Sequence, residues 1–163
     1  MDAGADEMSK LSHYDDEGRA RMVDVSAKAE TKRTARAHAF VKIRPEVLAR
    51  LPENPKGDPL EVARVAGVMA AKKTAELIPL CHPLPLTYAD VEVAVEEGGI
   101  RIETEAATTG PTGVEMEAMT AAAVTALTLY DMTKALDKGI EIGDLYLIEK
   151  TGGKSGRYRR EEE

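Results

Sequence analysis

The feature that most restricts this chain is a double alternation around a glycine pair. Val91, Val93 and Val95 alternate with Glu92 and Glu96, Gly98-Gly99 follows, and Ile100 and Ile102 alternate with Arg101 and Glu103. A period of two on both sides of a glycine turn predicts a β-hairpin with one buried face. Any fold for the chain must carry this hairpin near its middle.

Each side of the hairpin bears the mark of a helix. In Asp58-Pro59-Leu60-Glu61, Asp58 can cap and Pro59 takes the first helical position, where its missing N–H costs nothing. Glu61 then completes a capping box. One face of this helix presents Leu60, Ala63, Gly67, Ala70, Thr74 and Leu77, and the helix is expected to run to about Ile78, because Pro79 restricts the residue before it. A stiff loop follows over Pro79-Leu80-Cys81-His82-Pro83-Leu84-Pro85. Beyond the hairpin, Thr112-Gly113-Val114-Glu115 reads as a second capping box. It opens a helix through Ala118, Ala122, Leu127, Met132 and Leu136, which Gly139 closes.

Two outer strands complete the pattern. Ala37, Ala39, Val41 and Ile43 alternate with His38, Phe40 and Lys42, and a last strand is expected from Asp144 to Lys150. Pro45 to Leu51 suits a short helical piece, and Pro52 to Gly57 a loop. The order strand, helix, strand, strand, helix, strand predicts an α+β, ferredoxin-like βαββαβ fold, an antiparallel sheet with two long helices packed on it. Enzymes, regulatory domains and RNA-binding modules all use that fold, so function must be argued from a site.

The 163 residues fit one domain by the usual prior of roughly 100 to 200 residues each. Residues 1–20 are expected to form a mobile N-terminal tail, 21–157 a single ferredoxin-like domain, and 158–163 a charged C-terminal tail. No stretch approaches the ~20 apolar residues that cross a bilayer, and the acidic start, with Asp2, Asp6 and Glu7, lacks the build of a signal peptide. The expectation is a cytoplasmic protein with no membrane partner. Cys81 is the single cysteine and offers neither an internal disulfide nor a zinc spacing, so no protein metal site is expected. A net charge of −7 with no Trp and one Phe argues against nucleic acid as a partner. It does not argue against a small anion, since exposed charges beyond a Debye length of ~8 Å are screened and a local Lys/Arg pocket can dominate.

Several residues can carry chemistry, each with a bland alternative. His82, held between Pro79 and Pro83, can present its ring to a ligand or simply bond a backbone carbonyl. Glu115 is explained equally by helix capping and by function, whereas Glu117 lies deeper in a helix of small and apolar residues. Asp131 and Lys134, three residues apart, share a helix face. Their apolar neighbours suggest partial burial, which would lower the lysine's pKa while the carboxylate opposes that shift. Glu117 and Asp131 are 14 residues apart, which along one helix is ~21 Å. A small substrate does not readily touch both in one chain, so a site shared between subunits is the simplest geometry. Gly152-Gly153-Lys154-Ser155-Gly156 is not a Walker loop, because Ile148 stands where the leading glycine belongs, but it can serve as a phosphate-closing tail.

The runs Met22-Val23-Asp24-Val25-Ser26-Ala27-Lys28, Ala70-Ala71-Lys72-Lys73-Thr74, Leu77 to Leu84, Thr112 to Ala118, and Tyr130-Asp131-Met132 with Lys134 and Gly152 to Gly156 resemble the cyclic pyranopterin monophosphate synthase family. The likeness spans about residues 11 to 157, and the departures fall at surface positions and in the acidic tail. The resemblance implies that 21–157 is a catalytic domain converting (8S)-3',8-cyclo-7,8-dihydroguanosine 5'-triphosphate to cyclic pyranopterin monophosphate plus diphosphate, in molybdenum cofactor (molybdopterin) biosynthesis. That is a phosphorus-oxygen lyase reaction. It further implies a homo-oligomer, a hexamer built as a trimer of dimers, with active sites at the dimer interface. Asp131, Lys134 and Lys56 are the catalytic residues by this likeness. Leu80, Cys81, His82, Glu115, Met116, Glu117, Lys28, Arg33, Lys72 and Lys154 are substrate-binding. No cofactor is expected to be tightly bound, and a divalent cation such as Mg is compatible with the triphosphate. Two competing readings are a non-catalytic, metabolite-binding regulatory domain and an RNA-recognition module. The second would need stacking aromatics on central strands that here carry Val and Glu.

Overall fold

The computed structural model describes residues 12–161. Strand β1 (Thr31–Lys42) lies at the centre of a five-stranded antiparallel sheet. It pairs with β3 (Gly99–Gly110) on one side and β4 (Glu141–Thr151) on the other. Strand β2 (Tyr88–Glu96) flanks β3, and β5 (Tyr158–Arg159) flanks β4, giving the order β2-β3-β1-β4-β5. Two long helices, α2 (Pro59–Lys72) and α4 (Glu115–Thr133), cover one face. Short α1 (Pro45–Leu48) and α3 (Thr74–Leu77) sit in the connections. The ferredoxin-like expectation holds, with β5 added at the edge by residues assigned above to the C-terminal tail.

The core is built from small side chains. Ala35, Ala37, Ala39 and Val41 of β1 are fully buried and face Ala118, Ala122, Ala126 and Leu129 of α4, all equally buried. Alanine on both surfaces lets the helix lie close to the sheet, so burial comes from many short contacts rather than a few large side chains. The two helices approach as closely. A Cβ on Gly67 of α2 would run into the Thr125 hydroxyl and Ala121 carbonyl of α4, with Val91 of β2 beside them.

Several element ends differ from expectation, each for a local reason. Asp58 does cap α2, accepting from Leu60 N at 3.0 Å and from Glu61 N. The Glu61 carboxylate, however, turns to Arg64 at 2.8 and 2.9 Å, so only half of the box forms. The helix stops at Lys72 instead of running to Ile78. Lys73 leaves helical geometry, and the buried Thr74 hydroxyl donates to Ala70 O and Ala71 O, taking up carbonyls at the helix end. Leu77, expected on the packed face, is exposed as a result.

At α4 the second capping box is absent. Val114 occupies the cap with no side-chain bond, and Glu115 is the first helical residue, two positions too early for a box partner. Gly139 does not close this helix, which ends at Thr133. Its chain direction is fixed instead by Tyr130 Oη donating to Lys138 O and by Asp137 Oδ1 accepting from Gly139 N. Leu127 points outward. The hairpin turn is Glu97-Gly98, with Gly98 at φ +82 and Gly99 already paired to Glu96. Strand β4 starts three residues before Asp144, which sits at φ +51 in an irregular stretch of pairing and accepts from His38 Nδ1 through its carbonyl.

Candidate functional site

The first turn of α4 opens onto a cavity of about 220 Å³. Leu80, Cys81 and His82 form one wall, Glu115, Met116 and Glu117 another, and Lys28 stands at its margin. The proline-bounded loop brings its residues here because it is pinned at several points. Cys81 N donates to Ile78 O, and Pro85 O accepts from Thr108 Oγ1. His82 Nε2 donates to Val23 O at 2.7 Å. The bland bond anticipated for this histidine therefore exists, and the ring lines the cavity as well. In the neutral ring that bond leaves Nδ1 as an acceptor.

Glu117 is the most perturbed group in the cavity. It is 4% exposed, and burial pushes its carboxyl up to about 7, with the negative charge of Glu115 acting in the same direction. The Cys81 thiol beside it is also raised, first by burial and then by Glu117. A carboxyl that titrates near neutrality can both donate and accept a proton under working conditions.

Lys28 also lines an adjoining open groove of about 590 Å³ with Thr31, Arg33, Gly153 and Lys154. Arg33 is braced by its own donors, Nε to Gly110 O at 3.0 Å and Nη2 to Pro111 O at 3.1 Å. The glycine-rich tail lies directly over it. Gly152 and Gly153 both have positive φ, and a Cβ on Gly153 would collide with the Arg33 guanidinium. The glycines are there for close approach to an arginine, which explains the motif without a Walker loop. Lys28, Arg33 and Lys154 thus gather three cations around one groove.

The third cluster stands at the far end of α4. Lys134 Nζ is 2.7 Å from Asp131 Oδ1, and Lys56 Nζ is 3.7 Å from Asp131 Oδ2. The side chains of Asp131 and Lys134 are 55% and 50% exposed, so the expected partial burial is not found within the chain. The electrostatics follow the exposure. Lys134, then Lys56, hold the Asp131 carboxyl below its ordinary value, and Asp131 raises Lys134 rather than leaving it lowered by desolvation.

Nine of the thirteen residues singled out from the sequence line the cavity or the groove, Lys56, Asp131 and Lys134 cluster as a separate triad, and Lys72 joins neither. Lys72 is an exposed residue in the last turn of α2. Sequence reasoning missed Ser12, His13, Val23 and Val25, which line the cavity from the N-terminal side. Ser12 and His13 fall in the stretch expected to be a tail, whose residues 1–11 lie outside the described residues. Nothing in their local pattern signals a ligand site. Among the described residues, no group of three or more His, Cys, Asp or Glu side chains is placed to hold a metal ion, and no helix is long and apolar enough to cross a membrane.

A ferredoxin-like α+β domain with ionisable clusters at both ends of one long helix, and a cationic groove beside one of them, is the class of protein these features define. The sequence matches the MoaC family model over residues 22–153, and the chain belongs to the MoaC family. It is 57% identical over 160 residues to the cyclic pyranopterin monophosphate synthase of Thermomicrobium roseum, covering 96% of each chain. Proteins of the same name from Geobacillus kaustophilus and Listeria welshimeri are 55% and 54% identical, over 94% and 95% of this chain and 98% and 99% of theirs.

Proposed function

We propose that this chain is a synthase of molybdenum cofactor biosynthesis that converts (8S)-3',8-cyclo-7,8-dihydroguanosine 5'-triphosphate to cyclic pyranopterin monophosphate, releasing diphosphate as a phosphorus-oxygen lyase. The kinship with synthases of that name supports the reaction. The observation that carries the mechanism is the separation of the chemistry between the two ends of α4.

The reaction opens the five-membered purine ring, closes a pterin ring and forms a cyclic phosphate. Every one of these steps moves protons. Lys28, Arg33 and Lys154 suit the triphosphate, whose leaving diphosphate needs cations where its charge develops. Glu117 and His82 suit the base, one able to donate or accept near neutrality and the other offering an acceptor nitrogen. Lys56, Asp131 and Lys134 supply the remaining acid and base. In an open subunit Lys134 stays protonated beside Asp131. Covering the triad would desolvate the lysine and bring its pKa down toward useful values. A second subunit provides that cover. The active unit is therefore a dimer with sites across its interface, within a hexamer built as a trimer of dimers and working in the cytoplasm. This reading needs no tightly bound cofactor and is compatible with a divalent cation such as Mg accompanying the triphosphate. Lys72 contributes to a site across the interface, since it reaches neither cluster of its own subunit.

Mixing two inactive variants tests this. Glu117→Ala and Asp131→Ala subunits, exchanged and followed by native mass spectrometry, should regain turnover in mixed dimers, because one interface then holds both wild-type groups. If exchange is seen and activity stays absent, the shared site is wrong. If the wild-type protein binds the cyclic triphosphate without turning it over, the enzyme reading itself gives way to that of a regulatory binding domain.

A further inference from the structure

Asn54 sits in the loop between a 3-10 turn (Leu51–Glu53) and α2, and its amide has two different partners. Nδ2 donates to the Met132 carbonyl at 2.5 Å, and Oδ1 accepts from Lys56 N at 2.9 Å. Exchanging the two amide atoms would set donor against donor and acceptor against acceptor, so the partners fix the orientation. Met132 lies beside Asp131 in the last turn of α4, where carbonyls run out of partners within the helix. Its neighbours are satisfied locally, Tyr130 O by Lys134 N and Thr133 O by Leu136 N and Asp137 N. The Met132 carbonyl is bound by Asn54.

The other half of the amide shapes the turn that carries Lys56. The bond from Lys56 N to Asn54 Oδ1 closes an Asx turn across Pro55, and Gly57 N donates to Asn54 O at 3.2 Å. Pro55 fixes its own φ, and Gly57 takes φ +107, a conformation suited to glycine. The Lys56 backbone is thereby tied to the carbonyl next to Asp131. The ion pair cannot do this by itself. Lys56 and Asp131 are 3.7 Å apart, both more than half exposed, and exposed pairs between flexible side chains hold little geometry.

We infer that Asn54 is a positioning residue for the reaction: its amide fastens the Lys56 turn to the C-terminal end of α4 and so sets where the Lys56 ammonium stands relative to Asp131 and Lys134. The inference rests on the proposed catalytic role of Lys56, but its own claim is geometric and can be read separately.

The experiment compares Asn54→Ala, Asn54→Asp, Lys56→Ala and the double variant Asn54→Ala/Lys56→Ala in the full chain. It measures turnover of the cyclic triphosphate, thermal melting, and the titration of Asp131 by NMR in protein labelled with ¹³C-aspartate. Asn54→Ala should lower kcat by about tenfold to a hundredfold, the scale of a misplaced catalytic group, with KM within about twofold. Asn54→Asp keeps the turn-closing oxygen but loses the donor to Met132, so it should fall likewise. In the double variant, the Asn54 change should cost nothing beyond Lys56→Ala alone. Asp131 should titrate higher in Asn54→Ala, as in Lys56→Ala, because in both the ammonium has left its side. Multiplying losses in the double variant, or a loss that follows melting, would overturn the inference. So would an Asp131 titration that Lys56→Ala moves and Asn54→Ala does not. Near-normal turnover by Lys56→Ala would sink the proposed role of Lys56, and the Asp131 titration would still decide whether Asn54 holds the turn.

Discussion

The two ends of α4 present carboxylates in opposite states. At its start Glu117 is buried, with no ion pair among the described residues and Glu115 as the charge acting on it, and its pKa rises to about 7. At its end Asp131 stands in solvent between Lys134 and Lys56, and its pKa falls. Residue type sets neither behaviour. Burial disfavours charge at one end and opposite charges favour it at the other, so one helix carries a neutral acid and an anion at the same pH. The difference also separates function from stability. A group in solvent can be removed at little structural cost, whereas a buried one is tied to folding.

Removing the exposed cation should give the largest effect. Lys134→Ala is expected to abolish product formation, a loss of at least about 10²-fold to 10⁴-fold if it transfers a proton. Circular dichroism should stay unchanged, since within one chain the pair is half exposed and the fold does not rest on it. Near-normal turnover would remove Lys134 from the mechanism, and loss of the folded spectrum would erase the contrast between the ends.

Glu117→Gln tests the buried end and should change both properties. Because the folded-state pKa of Glu117 lies above the ordinary value, its contribution to stability is fully present below pH ~4.5 and is lost as pH rises through about 7. The gap between 4.5 and about 7 is worth on the order of 3 kcal/mol at full expression. Glutamine cannot ionise, so urea melts between pH 4 and 8 should show a shallower decline than wild type. Identical pH profiles would mean that Glu117 is not held in its neutral form.

Between the two ends, Gly67→Ala probes the contact that fixes α4 against α2. Its new Cβ has no room beside Thr125 and Ala121, and overpacking of this kind costs about 1–3 kcal/mol. Chemical denaturation would measure it, and a neutral result would show that the helices can part. The smallest effect belongs to Asp58→Ala. Loss of its cap should cost about 1 kcal/mol and leave kcat alone, and any larger activity loss would mean that α2 helps to position Lys56.

Much of this molecule was legible in the chain. The hairpin alternation and the small-residue faces around Ala37 and Ala118 give element order and fold, because period and residue size act locally. The Asp58 cap was legible for the same reason. Helix ends were less so. Whether Thr112 or Val114 caps α4, and whether α2 passes Lys73, depends on which donors neighbouring segments satisfy. Motif runs also singled out Glu117, His82, Asp131 and Lys134, the family likeness added Lys56, and the ~21 Å along one helix argued that one small ligand does not readily reach both Glu117 and Asp131 within one chain.

What the tertiary structure alone decided is the state and company of those residues. Asp131 and Lys134 read as partly buried from their apolar neighbours, but Leu127 faces outward and both groups are in solvent. Ser12 and His13 read as tail, yet they line the cavity with Lys28 and Glu117. Asn54 read as an ordinary loop residue, and 78 positions separate it from the carbonyl it binds. Alternation and capping depend on residues a few positions apart, so the sequence determines them directly. Exposure, pKa and long-range hydrogen bonds depend on which distant segments arrive beside a group, and only the folded chain brings those together.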